Sequence, residues 1–212
     1  MIPYNQPPVR NIVFENKTIA GFISSNEKNL DDKTVKSFGE EWSRFNNFSD
    51  DDVRRAGEQY FDIVPQSVLN SNSVALDAGC GSGRWARYIS GKVKFIEAID
   101  PSDSVFAASH LTSDITNIRI TQASIDNIPF PDESFDFVFS LGVMHHVHNT
   151  QAAMQSAVKK LKKKGAFLVY LYYRFDNRSH VFKLLFYFSN LLRLLISKLP
   201  SGLKFFAADF LA

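Results

Sequence analysis

The spacing of apolar and polar residues changes along the chain, and these changes mark where secondary structure elements begin and end. From Ser73 onward, short apolar runs alternate with segments whose apolar residues recur every three or four positions. The runs predict strands, and the segments predict helices. In chain order the predicted elements are strand 74–77, helix 82–90, strand 95–100, helix 101–110, strand 118–122, strand 134–140, helix 151–163 and strand 166–172. This alternation predicts a Rossmann-like, doubly wound α/β fold: a mostly parallel sheet with helices on both faces and a ligand at the carboxyl ends of the strands.

The first 48 residues follow a different pattern. Two short β-prone runs, 11–14 and 18–23, predict a small hairpin, which we expect to be an appendage to the core. A helical pattern follows, with apolar positions at Val35, Phe38, Trp42 and Phe45. Ser49 and the three aspartates after it predict the start of a second helix. We therefore expect an N-terminal appendage over 1–48 and a core domain over 49–173.

Residues 174–212 predict an apolar helical extension. Thirteen of the nineteen residues from Val181 to Leu199 are apolar, and Lys183, Asn190 and Ser197 form a thin polar stripe at seven-residue spacing. Too many charges interrupt this segment for a confident membrane span. Three roles are open for it: a lid over a substrate, a homodimer surface, or an interfacial helix in peripheral contact with a membrane.

Size, charge and cysteine content narrow the function classes. A chain of 212 residues suits one domain, and a formal net charge of +2 gives no case for a nucleic-acid partner. Cys80 is the single cysteine, so no intramolecular disulfide can form, and the reducing cytoplasm is the expected location. Residues 1–10 lack the apolar core of a signal peptide.

Three alternating glycines form the centre of the candidate site. Gly79, Gly81 and Gly83 follow the strand that ends in Asp77, and a helical pattern begins directly after them. Glycine permits tight backbone conformations and close approach of a ligand, and the helix start offers unpaired N–H groups. The turn therefore predicts a nucleotide cradle, with an ordinary glycine-rich turn as the alternative.

The glycine spacing indicates which nucleotide. A dinucleotide site requires G-x-G-x-x-G, but here the third glycine comes one position early and Arg84 occupies the later position. Asp77 would repel a pyrophosphate and suits a cationic amine. Asp100 ends the second strand of the alternating region, where an acid can accept both ribose hydroxyls. Together these features favour S-adenosylmethionine over NAD.

Five segments in order carry a family resemblance. They are LDAGCGSGRWA at 76–86, AIDPS at 98–102, NIPFPDESFDFV at 127–138, LGVMHHV at 141–147 and LKKKG at 161–165. Over roughly 50–173 the chain resembles the class I S-adenosylmethionine-dependent methyltransferases, and within them the small-molecule enzymes of the ubiquinone and menaquinone biosynthesis type. That family completes its sheet with two further strands, which nothing after Tyr173 predicts, so we expect a C-terminally truncated chain.

The resemblance implies a set of cofactor-binding residues. The set is Asp77, Gly79, Cys80, Gly81, Gly83, Asp100, Pro101, Ser124, Ile125, Ser140, Leu141 and Gly142. It implies that the glycines line the methionine portion, that Asp77 lies near the amine, and that Asp100 accepts the ribose hydroxyls. Ser124 and Ile125 would flank the adenine, although the family usually carries Asp where Ser124 stands. Two helix-capping roles are the alternatives: Asp77 could cap the helix that follows it, and Asp100 could be the N-cap before Pro101, because Asp-Pro is a good helix start. For Asp100 the cap role is compatible with ligand contact.

Histidines and one tryptophan are further candidates. His145 and His146 are candidate catalytic bases, with packing or loop bonding as the alternative. The spacing of His145, His146 and His148 lacks matching distant ligands, so no metal is predicted. Trp42 is a candidate cover over the active site, with core packing as the alternative.

The expected function is transfer of a methyl group from S-adenosylmethionine, with S-adenosylhomocysteine as product, to a small-molecule or lipid-linked acceptor. A sulfonium already activates its methyl group, so the absence of an obvious acid–base pair does not argue against an enzyme. The alternatives are an NAD(P)-dependent oxidoreductase and a cofactor-binding but inactive partner module. The sequence leaves open which acceptor is used and whether O, N or C is methylated.

Overall fold

A computed structural model describes residues 1–15, 17–23, 35–37, 39, 49–172 and 177–197. The strands and helices are β1 (Arg10–Phe14), β2 (Lys17–Gly21), α1 (Asp50–Phe61), β3 (Val74–Ala78), α2 (Arg84–Ile89), β4 (Phe95–Asp100), α3 (Ser104–Leu111), β5 (Ile118–Gln122), β6 (Phe135–Leu141), α4 (Thr150–Lys159), β7 (Leu161–Tyr170) and α5 (His180–Ser197). The chain divides into two compact units, Met1–Tyr172 and Tyr173–Ala212. The predicted alternation of strands and helices is confirmed in the first unit.

The seven strands form one sheet in the order β1-β2-β5-β4-β3-β6-β7. Only the β1–β2 pair is antiparallel, and every other neighbouring pair is parallel. This confirms the predicted Rossmann-like α/β class. The chain direction through the sheet reverses at β3, which lies between β4 and β6. Ligands of doubly wound sheets bind at such a reversal point, beyond the carboxyl ends of the strands.

The N-terminal hairpin forms as predicted, but it continues the sheet instead of standing apart as an appendage. Ala20 and Gly21 of β2 pair in parallel with Thr121 and Gln122 of β5. Ile19 and Phe22 are buried in the core. Burial of these two side chains and the extra strand pairing hold the hairpin to the same compact unit as the alternating strands. The local alternation predicted the hairpin but carried no signal for its distant pairing partner.

The end of α4 differs from the expected helix over 151–163. The helix ends at Lys159, and β7 already begins at Leu161, which pairs with Phe135. The Nζ atom of buried Lys160 donates to the carbonyl oxygen of Phe130 at 2.8 Å and to the carboxylate of Asp132 at 2.7 Å. These bonds fix the chain where the helix stops, so the lysine-rich segment enters the sheet earlier than its pattern indicates.

Strand β6 is buried on both faces, as its nearly continuous apolar sequence predicted. A register irregularity between Phe135 and Phe137 lets these two residues pack into different core clusters, although period-two alternation would place them on one face. Phe137 packs in the cluster with Phe61 and Trp85, and Phe135 packs in the cluster with Phe130. The aromatic residues of β6 thereby anchor both layers that cover the sheet.

Helix α5 makes up most of the described part of the second unit. It carries a set of exposed apolar side chains, each between 46% and 71% exposed: Val181, Leu184, Leu185, Tyr187, Phe188, Leu191, Leu192 and Leu194. Among the described residues, no helix combines the length and apolar character needed to cross a membrane.

Candidate functional site

A cleft opens at the reversal point of the sheet, where β3, β4 and β6 end. Residues 79–82 after β3, residues 100–102 at the end of β4 and residues 141–143 at the end of β6 contribute to its wall. The predicted site residues that line it are Gly79, Cys80, Gly81, Asp100, Pro101, Ile125, Leu141, Gly142 and His146. Segments far apart in sequence thus meet at one edge of the sheet, as the parallel topology predicts.

Each glycine of the turn meets a different physical requirement. All three have positive φ, at 90° for Gly79, 51° for Gly81 and 80° for Gly83, a region that other residues rarely adopt. A Cβ on Gly79 would lie 2.5 Å from a methyl group of Val143, so the turn passes close to the loop after β6. Gly83 lies against Ala108 of α3, 3.1 Å from the position of an added Cβ, and not on the cleft wall. Gly81 is the turn glycine whose backbone both lines the cleft and bonds Asp100.

Asp100 joins the glycine turn to the start of the segment that leads into α3. Its Oδ2 accepts from the backbone N–H of Gly81 at 3.0 Å, and its Oδ1 accepts from the N–H and the hydroxyl of Ser102 at 2.9 and 2.6 Å. The alternative that Asp100 is the helix N-cap before Pro101 is wrong, because α3 begins only at Ser104 and its N-cap is Asp103. The bonds of Asp100 instead hold the turn that precedes the helix. Asp100 is 9% exposed and lines the cleft, so these bonds leave it accessible to a ligand.

Asp77 is buried, with 1% of its surface exposed, and it does not line the cleft wall. Burial is the main influence on the pKa of this carboxyl and raises it well above its ordinary value, and the nearby charge of Asp100 raises it further. The backbone N–H of Ala86 in the first turn of α2 acts more weakly in the opposite direction. The N-cap position of α2 is Gly83, so the helix-capping alternative for Asp77 stays a prediction. Its Oδ2 atom has no hydrogen-bond partner among the residues that the structure describes. A buried acceptor left in this state is costly unless a donor reaches it.

Two predicted serines differ in their positions. Ser124 is buried and precedes Ile125, which lines the cleft, and its hydroxyl has no hydrogen-bond partner within the described part of the chain. Ser140 is also buried, but its hydroxyl donates to the carbonyl oxygen of Ala78 at 2.7 Å. The side chain of Ser140 therefore ties β6 to β3 and does not reach the cleft, where Leu141 and Gly142 take over.

The two candidate catalytic histidines are not equivalent. His146 lines the cleft, whereas His145 packs its ring 4.1 Å from the ring of Tyr172, measured between centroids. Burial lowers the pKa of His145, and the neighbouring His146 lowers it further. The sequence alone did not distinguish these residues. Within the described ranges, no group of three His, Cys, Asp or Glu side chains could hold a metal ion. Trp42 lies outside the described residues.

Other cleft residues were not predicted. They are Val35, Ser82, Arg84, Trp85, Ser102, Val143 and Val147. Arg84 and Trp85 begin α2, and the first residues of a helix after a ligand-binding turn tend to lie beside that ligand. The position of Arg84 and Trp85 directly after the glycine turn was therefore a sequence signal that could have predicted them as cleft residues. Cys80 also lines the cleft, and burial raises the pKa of its thiol well above the ordinary value, which favours the filler role over a nucleophile.

Comparisons with known proteins agree with this geometry. Residues 76–169 match the family model described as a methyltransferase domain. The uncharacterized methyltransferase YcgJ of Bacillus subtilis is 27% identical over 129 residues, covering 59% of this chain and 51% of that protein. The tRNA U34 carboxymethyltransferase of Shewanella sediminis is 34% identical over 90 residues, covering 40% of this chain and 27% of that protein.

A solved structure from Methanococcus maripaludis, a proposed S-adenosyl-L-methionine-dependent methyltransferase, superposes with a TM-score of 0.51. It is 22% identical, and the match covers 69% of this chain and 66% of that one. This likeness shows the fold alone. The chain spans about half the length of YcgJ and 40% of the two Mycobacterium tuberculosis relatives it matches.

Proposed function

We propose that the cleft binds S-adenosylmethionine and that the chain methylates a small-molecule or lipid-linked acceptor. Through residues 76–169 the chain belongs to the class I S-adenosylmethionine-dependent methyltransferases. The observation that carries this proposal is the bond between Gly81 and Asp100. It joins a positive-φ glycine turn after β3 to an acid at the end of β4, both on the cleft wall. A turn and an acid in this relation suit the methionine and ribose portions of one nucleoside.

Buried polar atoms around the cleft fit the cofactor. The Asp77 carboxylate, the Ser82 hydroxyl and the Ser124 hydroxyl each have an atom without a hydrogen-bond partner in the described residues. We assign Asp77 to the cofactor amine, directly or through a water, because an ammonium would satisfy its buried Oδ2. Asp100 would accept the ribose hydroxyls. Ser124 and Ile125 would flank the adenine, and Leu141 and Gly142 would run toward the methyl group.

Methyl transfer requires mainly that the protein position the two reactants. When bound, the cofactor would supply a methyl group activated by its sulfonium, for transfer to a lone pair of the acceptor, with the electron pair of the broken carbon–sulfur bond left on sulfur. The cleft walls orient the reactants and exclude water. An acceptor that carries a proton on the attacking atom must lose it to a base. His146, on the cleft wall, is the histidine that we assign to this role.

Replacement of Asp100 tests the ribose assignment. Asp100→Ala is expected to weaken S-adenosylhomocysteine binding by about 1.5–3 kcal/mol, the scale of hydrogen bonds to a charged acceptor. Titration calorimetry measures the change. Ser102→Ala is the control, since it removes one hydroxyl bonded to Asp100 but keeps the carboxylate, and it should cost less than about 1 kcal/mol. Unchanged affinity of a folded Asp100→Ala protein would contradict the assignment.

Replacement of Asp77 should have opposite effects on stability and binding. Its pKa is raised in the folded chain, so the folded state holds this proton more tightly, and the stability that the proton provides is lost as the pH rises through the folded-state pKa. Asp77→Asn should therefore raise the melting temperature relative to the original chain, by a few degrees (about 2–4 °C per kcal/mol), and more at pH 8 than at pH 5.

The same variant should bind S-adenosylhomocysteine about tenfold or more weakly at pH 8, because the ammonium loses its charged partner. Affinity of the original chain should rise with pH as binding displaces the proton from Asp77. Thermal melts and calorimetry at both pH values provide the measurement. An Asp77→Asn variant that binds S-adenosylhomocysteine equally well at pH 8 would contradict the assignment of Asp77 to the cofactor amine.

The rival functions make different predictions for the same binding experiment. An NAD(P)-dependent oxidoreductase would bind NAD and not S-adenosylhomocysteine. A cofactor-binding but inactive partner module would bind S-adenosylhomocysteine without turnover on any acceptor. One relative is named for action on tRNA, but a net charge of +2 does not favour a nucleic-acid acceptor for this chain.

For helix α5 we propose peripheral contact with an anionic membrane surface on the cytoplasmic side. The sequence from 177 to 197 contains no acidic residue and carries Arg178, Lys183 and Arg193. Homodimerisation through this helix would bring these like charges together, whereas anionic lipid would neutralise them. Exposed apolar side chains cover much of the same helix.

A further inference from the structure

A group of aromatic rings adjoins the cleft beyond the predicted cofactor contacts. Trp85, a cleft residue, lies 5.2 Å from Tyr60 between ring centroids, and Tyr60 lies 5.2 Å from Tyr170. Tyr170 lies 6.0 Å from Tyr172, which in turn lies 6.2 Å from the cleft residue His146. The series therefore begins and ends on the cleft wall. We call these five residues the aromatic pocket.

The rings of the aromatic pocket stand at steep angles to one another. The interplanar angle is 81° between Tyr60 and Tyr170, 85° between Tyr170 and Tyr172, and 84° between Tyr172 and His146. Tyr170 and Tyr172 remain 40% and 66% exposed, although aromatic rings in a core are usually covered. The exposed parts of Tyr170 and Tyr172 offer aromatic surface against which a flat ligand can pack.

One cation lies among these rings. The guanidinium carbon of Arg84 lies 4.6 Å from the centroid of the Trp85 ring, and Arg84 lines the cleft. Partial burial lowers the pKa of Arg84, while Tyr60, Asp77 and Tyr172 act electrostatically in the opposite direction. The cation–π distance places the guanidinium beside the Trp85 wall of the aromatic pocket. The guanidinium's planar fork of N–H donors matches the paired oxygens of a carboxylate or a phosphate, and a carboxylate is the smaller group that can be carried on a flat ring.

We propose that the aromatic pocket holds the methyl acceptor and that this acceptor carries a carboxylate-type anionic group, bound by Arg84, on a flat apolar body. This inference rests on the proposed function, because it places the acceptor beside the same cleft. A cationic acceptor would face both the guanidinium and the positively charged sulfonium, and like charges at short range repel. A neutral acceptor would not exploit the guanidinium. The chemical class that fits is an aromatic or similarly flat organic acid.

Three ring probes of nearly equal size test the charge requirement: benzoate, benzyl alcohol and benzylammonium. Each is titrated by ligand-observed NMR into the full chain saturated with S-adenosylhomocysteine. Benzoate should bind at least about tenfold more tightly than benzyl alcohol, because a charge-assisted pair with Arg84 forms only with the anion. Benzylammonium should bind most weakly. Equal or tighter binding of benzylammonium would overturn the proposal.

Two arginine variants test whether Arg84 causes the preference for benzoate. With S-adenosylhomocysteine raised to a concentration that keeps the variant saturated, Arg84→Gln should reduce benzoate binding to the level of benzyl alcohol. The control Arg55→Gln removes the same charge from an exposed position on α1 and should change neither the benzoate nor the S-adenosylhomocysteine affinity. If Arg84→Gln instead weakens S-adenosylhomocysteine tenfold or more, Arg84 serves the cofactor's own carboxylate and the acceptor assignment is overturned.

The walls provide an independent test that does not alter Arg84. Tyr172→Ala should weaken the NMR-measured binding of benzoate and of benzyl alcohol to a similar extent, by about threefold or more, because both ligands lose one ring wall. Tyr172→Phe, which keeps the ring, should bind both as the original chain does. Benzoate binding that is unchanged in Tyr172→Ala would overturn the pocket. Failure of the original chain to bind S-adenosylhomocysteine would refute the proposed function itself, and that result is distinguishable because it precedes any acceptor probe.

Discussion

Gly81→Val is expected to abolish S-adenosylhomocysteine binding, lowering the affinity by at least about 100-fold, while the domain remains folded. Gly81 has φ of 51° and lines the cleft, and its N–H bonds Asp100. A β-branched side chain is strained in this conformation, by about 1–3 kcal/mol, and would occupy the path by which the cofactor approaches the turn. That strain is smaller than the stability of a typical domain, about 5–15 kcal/mol, so folding should persist. Calorimetry measures binding, and circular dichroism with thermal melting measures folding.

The matched control for this substitution is Gly91→Val. Gly91 lies in the short turn after α2, and an added Cβ there would meet no atom within 4 Å. Its backbone is outside the left-handed region. The control should therefore fold and bind normally. Normal binding by a folded Gly81→Val protein would mean that the cradle has been placed on the wrong turn. If Gly81→Val does not fold, Gly81→Ala is used instead, because its smaller side chain would lie in the same path of cofactor approach.

The sequence predicted those parts of the fold and site that depend on local signals. The glycine turn, its flanking strand and the acid after the next strand are each encoded within about 25 residues, and the structure brings Gly81 and Asp100 within one hydrogen bond of each other. The parallel order followed because β–α alternation permits few arrangements. Ser49 capped α1 through the N–H of Asp52, as its position before three aspartates predicted.

The features that sequence patterns missed arise from contacts between distant segments. The pairing of β2 with β5 joins residues about 100 positions apart, and no local pattern selects that partner. The early start of β7 depends on Lys160 reaching Phe130 and Asp132, whereas its own sequence resembles a helix end. The aromatic pocket likewise combines α1, α2 and the end of β7, so its residues appear in sequence as unrelated core aromatics.

The proposed membrane contact predicts a large effect of acidic substitutions in the apolar part of α5. Placed at about 100° per residue, its exposed apolar side chains span an arc of about 180°, with Leu184 and Leu191 near the centre. Burial of one leucine side chain contributes about 1.5–3 kcal/mol. Leu184→Glu/Leu191→Glu should therefore lower partitioning onto vesicles of phosphatidylcholine and phosphatidylglycerol by about 100-fold or more. Vesicle co-sedimentation measures this.

A second double variant separates apolar insertion from charge. Ser189→Glu/Asn190→Glu adds the same two negative charges to the polar side of the helix, where each should cost only about 1 kcal/mol through the surface potential. It should bind anionic vesicles more weakly than the original chain but much more tightly than the leucine variant. Binding of the original chain should fall as salt is raised and on vesicles of phosphatidylcholine alone. The opposite result is that the original chain binds no vesicles and sediments as a dimer, which Leu184→Glu/Leu191→Glu converts to a monomer. In that case the apolar arc binds a second copy of the chain. The geometry of that dimer must then hold the like charges beside the arc apart.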